Sequence, residues 1–164
     1  MHLWRMSTVL VVVFSLVLCC GVVTARAYVA FLSGGEQVPP VETVAQALVV
    51  LQLSSDGTYM TYRVSVTNIA DVSAVLLHIG SPGTLGPGVV SLYGQQAPPG
   101  GPALLIPQRI SGVIAQGMIT EQNLSGPLAG RPLSWLVNSI QAGTTYVTIY
   151  TKTHPRGEVR GQIR

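Results

Sequence analysis

The segment Tyr59–Thr67 constrains the fold most, because apolar and polar side chains alternate along it. One face of an extended strand over this range is apolar and consists of Met60, Tyr62, Val64 and Val66. The apolar run Ala47–Leu53 precedes it, and the turn residues Asp56 and Gly57 lie between the two runs. An Asp-Gly pair between two strand-forming runs is typical of a tight hairpin. The sequence therefore predicts a β-hairpin with one buried and one solvated face.

Similar short runs, separated by glycine and proline, recur through the rest of the chain. They predict strands at Tyr28–Leu32, Ser73–Ile79, Gly88–Leu92, Arg109–Ile119, Thr145–Lys152 and Gly157–Ile163. One short helix is predicted over Leu133–Gln141, with Trp135 in the core, and a turn over Glu121–Leu124. The proline-rich stretch Gln95–Pro107 predicts a loop that is a candidate for contacting a partner. The pattern indicates an all-β domain, an antiparallel Greek-key-like β-sandwich of about seven or eight strands with one short helix.

The first 27 residues have the pattern of a signal peptide. Arg5 precedes the uncharged, mostly apolar run Val9–Val23, which is shorter than the roughly 20 residues of a membrane-spanning helix. The small residues Ala25 and Ala27 predict cleavage before Tyr28, with cleavage after Ala25 and an uncleaved anchor as alternatives. We expect a secreted or cell-surface protein whose domain covers residues 28–164, without stable membrane insertion if the leader is cleaved.

Composition excludes several classes of function. Both cysteines, Cys19 and Cys20, lie in the leader, so the domain is expected to hold together without disulfides. Charged residues make up 9% of the chain, and the net charge of +3 comes from scattered Lys and Arg side chains. Because nucleic-acid binding depends on clustered positive charge, we expect no nucleic-acid partner.

Three segments carry a resemblance to a known family. They read FLSGGEQVPP at residues 31–40, VSAVLLHIG at 72–80 followed by GVVSLY at 88–93, and GTTYVTIYTKTHPRGEVRGQ at 143–162. Together they are similar to the CHRD domain, a module named after chordin that also occurs singly in secreted proteins. The third segment is the most specific, because it follows the family pattern Y-V-N-V-H-T-x-x-H-P-x-G-E-I-R-G-Q over most of its length. The matching motif positions are Glu36, Val38, Pro39, Pro40, His78, Gly80, His154, Pro155, Gly157, Glu158, Arg160 and Gly161.

The resemblance implies an extracellular β-sandwich module with no general catalytic activity. In chordin-like proteins such modules belong to an antagonist that binds secreted growth factors, and only the broader role of an interaction module carries over to a single domain. We therefore predict a non-enzymatic binding module, with no cofactor, whose partner is an unknown extracellular protein or surface ligand. A structural protein of the extracellular matrix or wall is an alternative.

Metal binding is the alternative from a different class. Family members often carry histidines at positions that are Leu76 and Tyr150 in this chain, which leaves His78 and His154. If these met Glu158 in space, the three would form a zinc or copper site, and a metal-dependent enzyme would become the alternative reading. Their dispersed spacing instead favours structural roles, His78 at a strand end and His154 in a turn.

The remaining candidate residues have structural explanations. Glu158 and Arg160 lie two apart on a predicted strand, on one face, where they could pair with each other or with a neighbouring strand. Glu36 precedes a Val-Pro-Pro run, which predicts a rigid turn. Asn123 begins an N-glycosylation sequon. The chain beyond the leader has no cysteine, and the whole chain has no Gly-x-Ser-x-Gly elbow and no phosphate-binding glycine loop, so we expect no enzyme activity.

Overall fold

The computed structural model describes residues 26–94 and 109–164, so the predicted loop Gln95–Pro107 and nearly all of the predicted leader lie outside the described residues. The described residues form eight strands: β1 (Ala27–Ser33), β2 (Gln46–Leu53), β3 (Met60–Ile69), β4 (Val72–Ile79), β5 (Gly88–Tyr93), β6 (Ile110–Ile119), β7 (Thr145–Thr151) and β8 (Val159–Gln162). One helix, α1 (Leu133–Gln141), lies between β6 and β7. Within these two ranges, no helix has both the length and the apolar character needed to cross a bilayer.

The strands form one antiparallel sheet in the order β5-β4-β7-β8-β1-β2-β3-β6. The predicted all-β class is confirmed, although the two layers of the predicted sandwich continue into each other where β8 meets β1. That junction has a single registered pair, Ser33 with Arg160, and two flanking backbone hydrogen bonds between Val29 and Arg164. Where the two ends of the sheet approach each other, the Tyr62 hydroxyl donates to the Leu92 carbonyl at 2.8 Å and links β3 to β5. The sheet is thus curled and nearly closed around one core.

The inner face of the sheet is apolar, as the alternation in the sequence predicts. Its most deeply buried side chains include Leu51, Met60, Val64, Val75, Leu77, Val147, Ile149, Val159 and Ile163. Helix α1 covers this core with side chains at helical spacing, namely Leu133, Leu136, Val137 and Ile140. The prediction for Trp135 was wrong: this ring lies off that stripe, is 51% exposed, and has the Arg131 guanidinium 4.7 Å from its centre.

The outer face of the sheet differs between its two halves. On β4, β7 and β8, the outward side chains His78, Tyr146 and Arg160 are buried under the β4–β5 loop, residues 80–87. We call this the covered face. On β1 and β2, the outward side chains Val29, Phe31, Leu48 and Val50 are half-buried or exposed, and we call them the open face.

Candidate functional site

The covered face is built around three stacked side chains from adjacent strands. The His78 ring lies parallel to the Tyr146 ring, with centroids 4.9 Å apart and an angle of 6° between the planes. The Arg160 guanidinium lies 3.7 Å from the centre of the same Tyr146 ring. Because β7 lies between β4 and β8, the tyrosine is the middle layer of the stack. The register of the sheet therefore creates a contact between residues far apart in the chain.

Both ring nitrogens of His78 are occupied by protein groups. Nδ1 lies 2.9 Å from the Gly86 carbonyl, which only accepts, so Nδ1 carries the proton. Nε2 then accepts from the Tyr150 hydroxyl at 2.9 Å. Burial lowers the pKa of His78, and the nearby positive charge of Arg160 lowers it further, against the opposing effect of the Gly86 carbonyl. Burial likewise raises the pKa of Tyr150. At neutral pH, His78 is an uncharged connector between the loop and β7.

Arg160 is buried without an acidic partner. It is 2% exposed, and within the described residues no carboxylate lies within ion-pair distance of it. Its Nη2 has a long hydrogen bond of 3.4 Å to the Ser81 carbonyl. A desolvated guanidinium over an aromatic ring gains about 2 kcal/mol, so the Tyr146 ring is its main compensation.

The β4–β5 loop is held down by backbone groups. The Gly86 amide donates to the Tyr146 hydroxyl at 2.9 Å, and the Gln162 amide nitrogen donates to the Gly80 carbonyl at 3.0 Å. The Gly80 amide donates to the Thr144 carbonyl at 2.8 Å. The loop is therefore bonded to β7 and β8 as well as to its own strands.

Glu158 is the second buried polar centre, and it joins two distant segments. Its Oε1 accepts from the Thr43 hydroxyl and its Oε2 from the Thr151 hydroxyl, both at 2.7 Å. His154, four residues earlier in the chain, has its Nδ1 atom 3.4 Å from Oε2. Because hydrogen bonds to a carboxylate are stronger than neutral ones, Glu158 ties the segment before β2 to the β7–β8 turn.

A cleft of about 280 Å³ lies between these two segments. Its lining residues are Gln37, Val38, Pro39, Val41, Thr153, His154, Pro155, Arg156 and Gly157. The side chains on one side are mainly apolar, whereas Arg156 and His154 bring polar groups to the other. The first and third family-like segments, far apart in sequence, therefore form the two walls of one cleft.

Glycine is required at two motif positions for different reasons. Gly157 has φ of +110°, and a side chain there would meet the amide of the buried Gln37 and the methyl group of Thr148. Gly161 has no unusual dihedral, but a side chain there would collide with the Phe31 carbonyl of β1. These glycines allow the cleft and the β8–β1 junction to close.

The predicted site residues fall into two groups. His154 and Glu158 contact each other: His154 lines the cleft, and Glu158 supports it from beneath. Val38, Pro39 and Pro155 line the same cleft. His78 instead has its ring nitrogens bonded to Gly86 and Tyr150, while His154 contacts Thr151 and Thr153 in the turn after β7. The three predicted ligands are thus not brought together, and the described residues hold no group of three His, Cys, Asp or Glu side chains placed to bind a metal ion. Glu158 and Arg160 do not pair with each other: Glu158 bonds to Thr43 and Thr151, and Arg160 stacks on Tyr146.

Several residues of both centres were not anticipated from the sequence. They are Gln37, Thr43, Tyr146, Tyr150, Thr151 and Gln162. Tyr146 and Tyr150 lie four apart within a strand, which places them on one face, and this spacing was the available signal.

Two further features lie away from both centres. Asn123 is exposed, and its Oδ1 accepts from the Thr120 amide and hydroxyl at 2.8 and 2.9 Å. A depression of about 480 Å³ at the opposite end of β2 is lined by no motif residue.

Comparison with known proteins agrees with the motifs that line the cleft. The family model described as the CHRD domain matches residues 28–163. No curated protein and no solved structure gives a significant match. The family match spans nearly all of the described residues and includes both walls of the cleft, the covered face and the β8–β1 junction. The chain belongs to the CHRD domain family.

Proposed function

We propose that this protein is a secreted, non-enzymatic binding module that takes its ligand in the cleft between residues 37–41 and 153–157. The ligand is an extracellular protein or another surface ligand. The observation that carries the proposal is the cleft itself, because the two family-specific segments converge to form an open, partly apolar concavity. The leader-like run Val9–Val23 supports export.

The chemistry of the cleft suits recognition of an apolar group next to a negatively charged one. Val38, Pro39 and Val41 offer an apolar surface with few rotatable bonds, which lowers the entropy cost of binding. Arg156 is exposed at the opposite wall, where its guanidinium is available to a carboxylate. The support beneath the cleft is fixed by Glu158, so the walls are preorganised before a ligand arrives.

The state of the buried polar groups favours binding over catalysis. A general base needs a nitrogen or carboxylate within reach of substrate, whereas both nitrogens of His78 bond to the protein in a buried position. Both oxygens of Glu158 accept from threonine hydroxyls. These groups act as internal supports in this proposal.

Matched substitutions at the cleft test the binding role. Val41→Asp places a charge on the apolar wall, while Val44→Asp makes the same change at a position that is 70% exposed and does not line the cleft. With the protein as bait in an extracellular fraction, we expect a saturable partner whose affinity falls at least about tenfold for Val41→Asp only. Equal binding by both variants, or no saturable partner, would refute the cleft as the site.

Export is tested independently of binding. Expression of the full chain in a secreting host should place the protein in the medium, with Tyr28 as its first residue by N-terminal sequencing. In a eukaryotic host, Asn123→Gln should remove any added glycan mass. Retention of the whole leader in a membrane fraction would contradict secretion while leaving the cleft assignment open to the substitution test.

A further inference from the structure

The open face departs from the polar pattern expected of a solvated sheet surface. Phe31 pairs with Leu48 and Val29 with Val50, so four apolar side chains form a continuous patch. Phe31 is 76% exposed, although it lies on a strand in the middle of the sheet. On the adjacent β3, the outward positions are the polar Thr61, Arg63, Ser65 and Thr67. A contiguous apolar patch among polar neighbours is typical of an interaction surface.

Two opposite charges lie along the β8 side of this patch, at different levels along β1. Glu36 follows β1 beyond Ser33, while Arg164 is hydrogen-bonded to the backbone of Val29, two residues before Phe31. Both line one shallow depression of about 310 Å³ together with Val29 and Phe31. Within the described residues they form no ion pair with each other. Along the strand direction, the negative Glu36 lies on the Ser33 side of Phe31. The positive Arg164, together with the exposed Arg63 opposite Val50, lies on the Val29 side.

We propose that the open face is a symmetric interface between two copies of this chain. A twofold axis that passes by Phe31, in the plane of the interface and perpendicular to the strands, reverses the strand direction in the second copy. It stacks the two Phe31 rings near the axis and places Glu36 of each copy over Arg164 of the other. A surface with opposite charges on the two sides of the axis is self-complementary under this operation, which is the requirement for an isologous interface.

The size of the patch sets the strength of this dimer. Seven residues of β1 span about 24 Å, and the width from β8 to β3 is about 14 Å. The flat area of about 340 Å² per copy is well below the roughly 800 Å² per partner of a standard stable interface. We therefore expect a weak, transient dimer, with a dissociation constant below about 1 mM.

The dimer has a consequence for the proposed binding cleft. The cleft lies at the Ser33 end of β1, so reversal of the strands places the two clefts at opposite ends of the particle. A dimer would therefore bridge two separate ligands. Its two clefts would not bind one flat target surface together, which limits avidity on such a target. The interface itself does not depend on the cleft being the ligand site.

Sedimentation velocity of the protein expressed from the full chain, over a concentration series, tests the interface. The wild-type protein should shift from monomer to dimer as concentration rises. Phe31→Ser should raise the dissociation constant at least about 100-fold, because both copies lose a ring. Met118→Ser is the matched control, since Met118 is 54% exposed on the outlying strand β6, and it should leave the dissociation constant unchanged.

Charge reversal gives a sharper test of the symmetry. Glu36→Arg and Arg164→Glu should each be monomeric at concentrations where the wild-type protein dimerises, because like charges then face each other. A mixture of the two variants should recover a heterodimer, since every facing pair is again opposite in charge. The recovery also shows that both variants are folded.

Three outcomes overturn the proposal. One is a wild-type protein that stays monomeric up to about 1 mM, whatever else binds the open face. Another is a dimer that Phe31→Ser does not weaken. The last is a mixture of the charge variants that remains monomeric, which would exclude the arrangement with Glu36 over Arg164.

Discussion

The covered face and the open face are two parts of the outer surface of one sheet, and they differ in which outward side chains are buried. On β4, β7 and β8, the polar and aromatic side chains His78, Tyr146 and Arg160 are sealed under the β4–β5 loop. On β1 and β2, the apolar Phe31 is left in solvent. Burial on this surface follows the position of a loop more than the polarity of the side chain. We infer that the covered face serves stability and the open face serves contact.

Removal of the Tyr146 ring from the covered face should cause the largest loss of stability. Tyr146→Ala leaves a cavity, removes the hydroxyl that accepts from Gly86, and deprives the buried Arg160 of its ring. We expect the free energy of unfolding to fall by about 3–5 kcal/mol, measured by urea denaturation. Phe31→Ala is the matched control, with an expected change within about 0.5 kcal/mol at dilute concentrations.

A smaller change separates the ring from its hydroxyl. Tyr146→Phe keeps the stack and loses the two contacts of the hydroxyl with Gly86, one accepted from its amide at 2.9 Å and a longer one donated to its carbonyl at 3.4 Å. We expect a loss of about 1 kcal/mol. Equal losses for Tyr146→Ala and Phe31→Ala would show that the two faces do not differ in their contribution to stability.

The second prediction concerns the buried carboxylate beneath the cleft. Glu158→Gln keeps one oxygen acceptor and places an NH₂ group against a threonine hydroxyl, which weakens the bond to Thr43 or Thr151. We expect a loss of about 1.5–3 kcal/mol in the free energy of unfolding. Glu42→Gln, an exposed carboxylate nearby, provides the control and should change little. An unchanged stability in Glu158→Gln would remove Glu158 as the link between the cleft walls.

The third prediction is a pH dependence that arises on the covered face. The folded-state pKa of His78 is below its ordinary value of 6.5, so the folded protein binds this proton less readily than the unfolded chain does. Its contribution to stability is therefore present above pH 6.5 and is lost as the pH falls through 6.5 toward the folded pKa. His78→Gln should lose less stability than the wild-type protein between pH 7.5 and 5, measured by urea denaturation at each pH. Parallel slopes for the two proteins would contradict the sealed position of His78.

The smallest expected effect tests whether backbone hydrogen bonds or side-chain packing hold the β4–β5 loop in place. Leu85 is 69% exposed at the top of the β4–β5 loop, whereas the bonds that hold the loop use the backbone of Gly80, Ser81 and Gly86. Leu85→Ser should therefore change stability by less than about 0.5 kcal/mol. A loss near 2 kcal/mol in thermal or urea denaturation would mean that side-chain packing, and not backbone bonding, closes the loop.

Local structure was largely predictable because its causes are local. The alternation in Tyr59–Thr67 and the Asp56-Gly57 turn match β3 and its hairpin, and Asp56 accepts from Ser54 and Thr58 as a turn residue should. This same bonding lowers the pKa of Asp56, with Ser54 the largest contributor. The bounds of helix α1 agree with the prediction. The error at Trp135 came from its size, although the spacing of Leu136 and Ile140 already placed it off the buried stripe.

The site was less predictable because it depends on the order of strands in the sheet. Alternation shows that His78 and Arg160 face one side, but it does not show that β7 lies between them and contributes Tyr146. The partner of Glu158, Thr43, is 115 residues away in the chain. The convergence of the first and third family-like segments at one cleft is equally nonlocal. Sequence identified most of the motif residues, while the sheet order determined which of them meet.

Hydroxyl-radical footprinting with mass spectrometry tests the central contrast most directly, because it reports both faces in one molecule. In a dilute sample, where the monomer dominates, Phe31 should be oxidised near the rate of a free phenylalanine. Tyr146 should react at least about tenfold more slowly than a free tyrosine, since it is 2% exposed. Comparable normalised rates at Phe31 and Tyr146 would contradict the division of this sheet into a sealed face and an open face.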